Sequence, residues 1–98
     1  MITSKDRKYL KSRAHELRPL VLIGKSGLSG ESISSIIHAL DHHELIKVKV
    51  IAFKNEKKEL SQEIVEKVDA EFVGLIGNVL IIYRMNEDPD KRHYELPE

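Results

Sequence analysis

Leu20-Val21-Leu22-Ile23-Gly24-Lys25-Ser26-Gly27-Leu28 decides the fold of this 98-residue chain. The apolar run 20–23 is short and continuous, which is typical of a strand buried on both faces. Two glycines interrupt the run, and Ser29 follows at the position of a helix N-cap, where its hydroxyl can accept an unpaired backbone N–H. A buried strand, a glycine loop and a capped helix in this order predict an α/β fold.

Helical and strand patterns alternate on both sides of this stretch. We expect helices at 5–17, with Ser4 as its N-cap, at 30–42 and at 57–69, each with apolar residues at helical spacing. The expected strands are 20–23, 45–53, 72–76 and 79–84, with a turn at 54–56 and a hairpin turn at Gly77-Asn78. Strands separated by helices should be parallel, and the last two antiparallel. The order α-β-α-β-α-β-β therefore predicts a two-layer sandwich with a mixed four-stranded sheet.

Length and composition fit a single domain inside the cell. The chain has no cysteine, which excludes disulfides, cysteine zinc sites and cysteine nucleophiles. No run approaches the roughly 18 apolar residues of a membrane span, and residues 1–8 lack the apolar run of a signal peptide. We therefore expect a cytoplasmic protein without membrane association. Its domain should cover residues 1–84, followed by a polar and loosely held tail over 85–98.

Charge is distributed unevenly along a chain whose net charge is zero. Residues 1–30 hold seven basic and two acidic residues, a net charge of +5, so the remainder carries −5. The basic residues Lys5, Lys8, Lys11 and Arg18, on the first predicted helix and just after it, are suited to rest along the phosphates of a nucleic acid. A charged helix face that is merely solvated explains the same pattern equally well.

The loop Gly24-Lys25-Ser26-Gly27 is the strongest candidate for a binding site. Glycines three residues apart let backbone N–H groups approach a ligand without a Cβ in the way. The helix that follows points its N-terminus, with unpaired N–H groups and a partial positive charge, at the same place. KH domains clamp the nucleic-acid backbone with a GXXG loop of this kind. The four-residue pattern alone more often marks only a tight turn, and its context favours a site.

Other side-chain groups offer little chemistry. His38 and His42 are four residues apart on the second predicted helix, a spacing that can bind zinc. No third ligand is placed with them, and the helix dipole by itself favours histidine near a C-terminus. No serine–histidine–acid arrangement can be argued from the spacing. We therefore expect no catalytic residue, no metal and no cofactor.

Several segments together resemble one family, the CRM domain (chloroplast RNA splicing and ribosome maturation) in its single-domain, YhbY-type form. Residues 20–28 are similar to the family signature. Residues 5–10 and 14–15 resemble its opening helix, 41–49 its passage from helix to strand, and 76–84 its closing hairpin. The resemblance covers about residues 3–84 in order, and the tail after Arg84 lies outside it.

The resemblance implies a fold similar to the C-terminal domain of translation initiation factor three, and RNA binding through the glycine loop. Gly24, Lys25, Gly27 and Leu28 match the family motif directly, while Ser26 occupies its variable position. The resemblance also implies ribosome biogenesis, with ribosomal RNA of the large-subunit precursor as the partner.

These observations favour a monomeric, non-enzymatic RNA-binding protein. The expected RNA-binding residues are Gly24, Lys25, Ser26, Gly27, Leu28, Lys5, Lys8, Lys11 and Arg18. Contacts to phosphates position an RNA without reading its sequence, so recognition should depend on RNA shape. The alternative is a protein-interaction module of the same fold, whose basic helix binds an acidic partner.

Overall fold

Helices and strands alternate in the predicted order. The computed structural model describes residues 2–52 and 54–97. Its elements are α1 (Ser4–Ala14), β1 (Val21–Ile23), α2 (Gly30–His43), β2 (Leu45–Val50), α3 (Lys54–Lys67), β3 (Glu71–Ile76), β4 (Val79–Tyr83) and a short 3-10 turn (Pro89–Lys91). In the described part of the chain, none of the helices combines the length and apolar character needed to cross a bilayer.

The four strands form one mixed sheet in the order β1-β2-β4-β3. β1 pairs in parallel with β2, and β4 is antiparallel to both β2 and β3. β3 and β4 are joined by a tight turn in which Gly77 has a φ of +60°, the left-handed conformation that glycine adopts at little cost. The predicted mixed four-stranded sheet and its hairpin turn are therefore confirmed.

Helices cover both faces of this sheet, which differs from the expected two-layer arrangement. On one face α2 and α3 pack through residues such as Ile36, Leu40 and Ile64. On the other face α1 packs through Leu10 and Ala14. The difference arises because the apolar stripe of a helix predicts that one side of the helix is buried, but it does not predict which face of the sheet the helix covers.

Strand β1 lies at an edge of the sheet, which corrects the prediction that it is buried on both faces. Ile23 is buried, but Leu22 is 58% exposed and Leu20, just before the strand, is 53% exposed. A continuous apolar run is typical of strands that helices cover on both faces of the sheet, and β1 is covered on one face. Here α1 contacts β2, β3 and β4 instead, so one face of β1 stays open.

Several predicted element ends are also corrected. The N-cap of α1 is Thr3, not Ser4, because the Thr3 hydroxyl accepts from the Asp6 N–H at 3.0 Å and the Asp6 carboxylate accepts from the Thr3 N–H at 3.1 Å. The helix ends at Ala14, three residues before the predicted end. Residues 54–56 begin α3 and do not form the predicted turn. Strand β2 ends at Val50, and the predicted strand residue Phe53 lies outside the described residues.

The segment after Arg84 is docked onto the domain, in contrast to the loosely held tail expected from its polar composition. Glu44 is fully buried, and its carboxylate accepts hydrogen bonds from the backbone N–H groups of Asn86, at 2.6 Å, and His93. Tyr94 and Leu96 pack against the α1 side of the core. The Asn86 side-chain amide also donates to the Asp41 carbonyl at 3.3 Å, and His93 Nε2 lies 3.0 Å from the His42 carbonyl. All these partners lie more than forty residues upstream, so no local pattern in the tail predicts the contacts.

Replacing Glu44 should release the C-terminal segment. Glu44→Ala removes a charged acceptor from two backbone N–H groups, and hydrogen bonds to charged groups contribute about 1.5–3 kcal/mol each. We expect the free energy of unfolding to fall by about 2–4 kcal/mol. Amide exchange at Asn86 and His93 should accelerate, whereas Glu95→Ala, at an exposed position of the same segment, should change neither measurement. Unchanged exchange in Glu44→Ala would show that other contacts hold the segment.

The Tyr83 side chain predicts a loss of stability in alkaline solution. Burial, together with the nearby Glu44 carboxylate, raises the pKa of Tyr83 to about 12. Among the described residues, its hydroxyl is the buried side-chain polar atom that has no hydrogen-bond partner. Because the pKa of Tyr83 is raised in the folded state, folding favours the neutral phenol. Its contribution to the free energy of unfolding is fully present below pH 10, the ordinary pKa of tyrosine, and is lost as the pH rises through about 12.

Tyr83→Phe should therefore be more stable than the wild type at high pH, and the difference should grow between pH 10 and pH 12. Near neutral pH the substitution should be neutral or slightly stabilising, since it removes an unpaired buried hydroxyl. Thermal unfolding of both proteins across this pH range measures the effect. Parallel curves for the two proteins would contradict the assignment to Tyr83.

Candidate nucleic-acid interface

The glycine loop forms a tight turn directly after β1. The Gly27 N–H donates to the Gly24 carbonyl at 3.0 Å, and Gly27 has a φ of +80°. This left-handed conformation strains residues that carry a Cβ, so the turn itself requires glycine at position 27. Lys25 and Ser26 lie exposed at the tip of the turn.

Gly24 is different, because the fold does not require a glycine there. Its φ lies outside the left-handed region, and a Cβ added to it would meet no atom within 4 Å. The space beside this residue is open to solvent. Neither backbone conformation nor packing explains this glycine. The missing side chain does allow a ligand to come close to the backbone here.

The N-terminus of α2 lies three residues beyond the turn. Ser29 caps the helix, and its hydroxyl accepts from the Ser32 N–H at 3.1 Å. The amides of Gly30 and Glu31 come first in the helix, where no preceding turn supplies carbonyl acceptors. Glu31 places a negative charge in this first turn and opposes an anion, whereas the exposed Lys25 favours one.

Two contacts anchor the loop to the body of the protein. Leu28 is half-buried and packs against the core that α2 and α3 share. The Ile51 N–H donates to the Ile23 carbonyl at 2.9 Å, which continues the pairing of β1 with β2 up to the start of the loop. The loop is thus held at the carboxyl end of two parallel strands, where ligands of open α/β sheets bind.

The structure divides the remaining predicted residues into separate groups. Lys5, Lys8 and Lys11 are exposed on α1, which packs on the opposite face of the sheet from α2. Lys11 lies along β3, since a Cβ on Gly74 would be 3.0 Å from its Cε. Arg18 precedes β1 and Lys25 follows it, so these two cations lie at opposite ends of the strand.

Sequence reasoning missed an exposed row of side chains beside the loop. The sheet register aligns Leu22 with Lys49, Lys49 with Val79, and Val79 with Ile76. Leu22 and Ile76 are 58% and 59% exposed, and Lys49 is exposed between them. In the sequence, Ile46, Val48 and Val50 alternate with Lys47 and Lys49, which indicates one core face and one solvent-facing side. Only the register shows that the row crosses all four strands at the end that carries the loop.

A basic groove at the β3 edge was also missed. It has a volume of about 1160 Å³ and is lined by Arg7 and Lys11 of α1 and by Lys57 and Lys58 of α3. Lys57 also holds the hairpin turn, because its ammonium donates to the Gly77 carbonyl at 3.3 Å and to the Asn78 side chain at 2.9 Å. The two helices are distant in sequence and lie on opposite faces of the sheet, so no sequence pattern links these cations.

The histidines of α2 do not assemble a metal centre. The His42 ring nitrogen Nδ1 lies 2.9 Å from the His38 carbonyl, the spacing of a hydrogen bond within one helix. The two rings lie against each other, with centroids 4.3 Å apart. Within residues 2–52 and 54–97, no three histidine, cysteine, aspartate or glutamate side chains are grouped closely enough to hold a metal ion.

Comparison with known proteins agrees with this arrangement of strand, glycine loop and helix. A family model described as the CRS1 / YhbY (CRM) domain matches residues 2–84. The chain belongs to this family. The range includes the glycine loop and all four strands but ends before the docked C-terminal segment.

Individual relatives resemble the chain over most of its length. A Haemophilus influenzae protein named "RNA-binding protein" is 41% identical over 88 residues, which are 89% of each chain. A Bacillus subtilis protein named "Probable RNA-binding protein YqeI" is 34% identical over 98 residues, 99% of this chain and 100% of the relative. A solution structure of a Staphylococcus aureus protein has a TM-score of 0.84 at 38% identity and covers 99% of this chain and 100% of its own.

Alanine substitutions should separate the two glycines of the loop. Gly27→Ala forces a side chain into a left-handed conformation and should lower the free energy of unfolding by about 1–2 kcal/mol. Gly24→Ala should leave the stability unchanged or slightly raised, because the added methyl group meets open space. Chemical denaturation of both variants measures the difference. A large loss of stability in Gly24→Ala would show that this residue serves the fold and not a ligand.

Proposed function

We propose that this protein is a non-enzymatic, monomeric, cytoplasmic RNA-binding protein that associates with ribosomal RNA of the large-subunit precursor during ribosome assembly. The observation that carries the proposal is Gly24, a glycine that the fold does not need. It begins the loop that leads from β1 to the N-terminus of α2. The names of the Haemophilus influenzae and Bacillus subtilis relatives support RNA as the partner.

The proposed mechanism is a backbone clamp on RNA phosphates. Amides of the segment 24–28, apart from that of Gly27, which closes the turn, donate to phosphate oxygens together with the amides of Gly30 and Glu31 at the start of α2. The absence of a side chain at Gly24 lets the RNA backbone come within hydrogen-bonding distance. Gly27 maintains the turn, and Leu28 anchors it to the core. Such contacts are independent of base identity, so the clamp selects RNA by shape.

Basic residues away from the loop supply attraction of longer range. Lys25 lies at the loop, while Lys5, Lys8, Lys11 and Arg18 are exposed on and after α1. Because these cations are spread over the surface, they steer the RNA and contribute to its affinity without forming one pocket. The acidic remainder of the chain keeps the net charge at zero and limits indiscriminate binding to polyanions.

Lys25→Ala should weaken RNA binding and reduce its salt dependence. Each lost phosphate contact lowers the slope of log affinity against log salt by about 0.7–0.9. We expect a fall of this size for a structured ribosomal RNA fragment and for unrelated structured RNAs alike, measured by fluorescence anisotropy at several salt concentrations. Lys67→Ala is the matched control, since Lys67 lies at the end of α3 in an exposed ion pair with Glu63. An unchanged slope in Lys25→Ala would place the RNA elsewhere.

Gly24→Ala tests the clamp independently of charge. The added methyl group should lower RNA affinity while the unfolding free energy stays at the wild-type value or above it.

Crosslinking in cells, followed by sequencing of the bound RNA, tests the ribosomal partner. Recovery of messenger RNA without enrichment of large-subunit ribosomal RNA would exclude the proposed role in ribosome assembly and leave general RNA binding in place.

A further inference from the structure

A second cavity lies at the opposite end of the sheet from the glycine loop. It has a volume of about 400 Å³, within the range of small-molecule sites. Its walls come from the end of α1 and the segment after it, the end of α2, and the docked C-terminal segment. The residues that give it its chemistry are Arg13, Arg18, His43, Leu17, Leu20 and Tyr94.

The charged groups that line this cavity are the guanidinium groups of Arg13 and Arg18, and the imidazoles of His43 and His93 lie beside them. No carboxylate from the described residues lines it. Guanidinium groups recognise phosphate through paired N–H donors and stay charged at every physiological pH. The absence of an acidic neighbour in the lining leaves both arginines available to an anion.

The remaining side chains that give the cavity its character are apolar or aromatic, and together they form a surface large enough to contact a nucleic-acid base. Leu17 is half-buried, Leu20 is 53% exposed, and the Tyr94 ring lies beneath the Arg13 guanidinium at 5.8 Å from its centroid. Unpaired bases are held in proteins by flat or apolar side chains next to cations. A cationic rim over an apolar floor therefore fits a nucleotide better than it fits a bare anion.

Contacts within the protein hold these walls in place before any ligand arrives. The Lys47 ammonium donates to the Leu17 carbonyl at 3.0 Å, and the Leu20 N–H donates to the Lys47 carbonyl at 3.0 Å. The segment that carries Arg18 is thus tied to β2 at both ends. On the other side, Glu44 accepts from the His93 N–H and fixes the segment that carries Tyr94.

We propose that this cavity is a nucleotide subsite, which binds one unpaired nucleotide of the RNA strand with its phosphate at Arg13 and Arg18 and its base against Leu17, Leu20 and Tyr94. The inference rests on the proposed function and adds a second point of contact to it. The cavity includes Leu45, at the start of β2, whereas the glycine loop lies beside the end of that strand. The six residues of β2 span five steps of about 3.4 Å, which separates the two places by about 17 Å. One RNA strand can therefore occupy both places only if it is several nucleotides long.

Adenosine 5′-monophosphate probes the cavity alone. In proton–nitrogen correlation spectra it should shift the backbone amides of Leu17, Leu20, His43 and Tyr94 in the full-length protein. Arg18→Gln should weaken this binding roughly threefold to tenfold, the effect of losing one charge-assisted contact. Lys67→Gln should bind like the wild type. If inorganic phosphate shifts the same amides with equal affinity, the cavity holds an anion without a base and the nucleotide assignment is wrong.

A single-stranded RNA of ten nucleotides tests whether the cavity and the loop serve one strand. Arg18→Gln and Lys25→Ala should each weaken binding, and the double variant should lose affinity by about the product of the two single effects. If Lys25→Ala weakens binding while Arg18→Gln matches the wild type, the subsite is excluded and the proposed function stands. If the wild type binds neither this RNA nor a structured one, the proposed function fails, whatever adenosine monophosphate does.

Arg18 suits this test because its side chain is exposed and forms no hydrogen bond or ion pair with the residues that the structure describes. Arg13→Gln is a second variant, but it also removes the contact with the Tyr94 ring. Circular dichroism and thermal unfolding should be native for Arg18→Gln. Restored binding in Arg18→Lys, which keeps the charge, together with loss in Arg18→Gln, would assign the contact to the phosphate.

Discussion

The central position of strand β2, with two cores and two neighbouring strands around it, is the constraint on which the rest of the structure depends. Leu45 and Ile46 are adjacent in sequence and enter the two opposite cores. β2 is also hydrogen-bonded to β1 on one side and β4 on the other. Because side chains alternate along a strand, a shift of register by one residue would turn Ile46, Val48 and Val50 away from the core under α2 and α3 and bring Lys47 and Lys49 into it. The strand thereby aligns the glycine loop at one end of the sheet and the cationic cavity at the other.

The residue just before β2 links the domain to its C-terminal segment. Glu44 has a φ of 63° and points its carboxylate inward, where two backbone N–H groups stabilise the charge. An acidic side chain is costly to bury without such partners. The docked segment, in turn, covers Tyr83 and contributes Tyr94 to the cavity. One carboxylate therefore connects packing on the α1 face with the shape of a candidate binding surface.

The two glycines of the loop have different reasons to be glycine, one in the backbone conformation and the other in the approach of a ligand. Gly27 is explained by the backbone, since the turn places it in a left-handed conformation. Gly24 has no such explanation and faces open space. The same four-residue pattern therefore contains both a structural glycine and a candidate functional one. The match to the CRM family spans both glycines without distinguishing them, whereas their conformations separate the two roles.

Local patterns in the sequence were sufficient for the element order, the Ser29 cap, the hairpin at Gly77 and the glycine loop, because each depends on interactions between residues close in the chain. They failed where the deciding contact is distant. The exposure of Leu22, the placement of α1 on the opposite face from α2, and the docking of Tyr94 through Glu44 all depend on which surfaces meet after folding. Helical and strand periodicities report that a side chain is buried but carry no information about its partner. The sequence alone therefore determined the elements and the loop, and only the tertiary structure decided which cations and apolar residues share a surface.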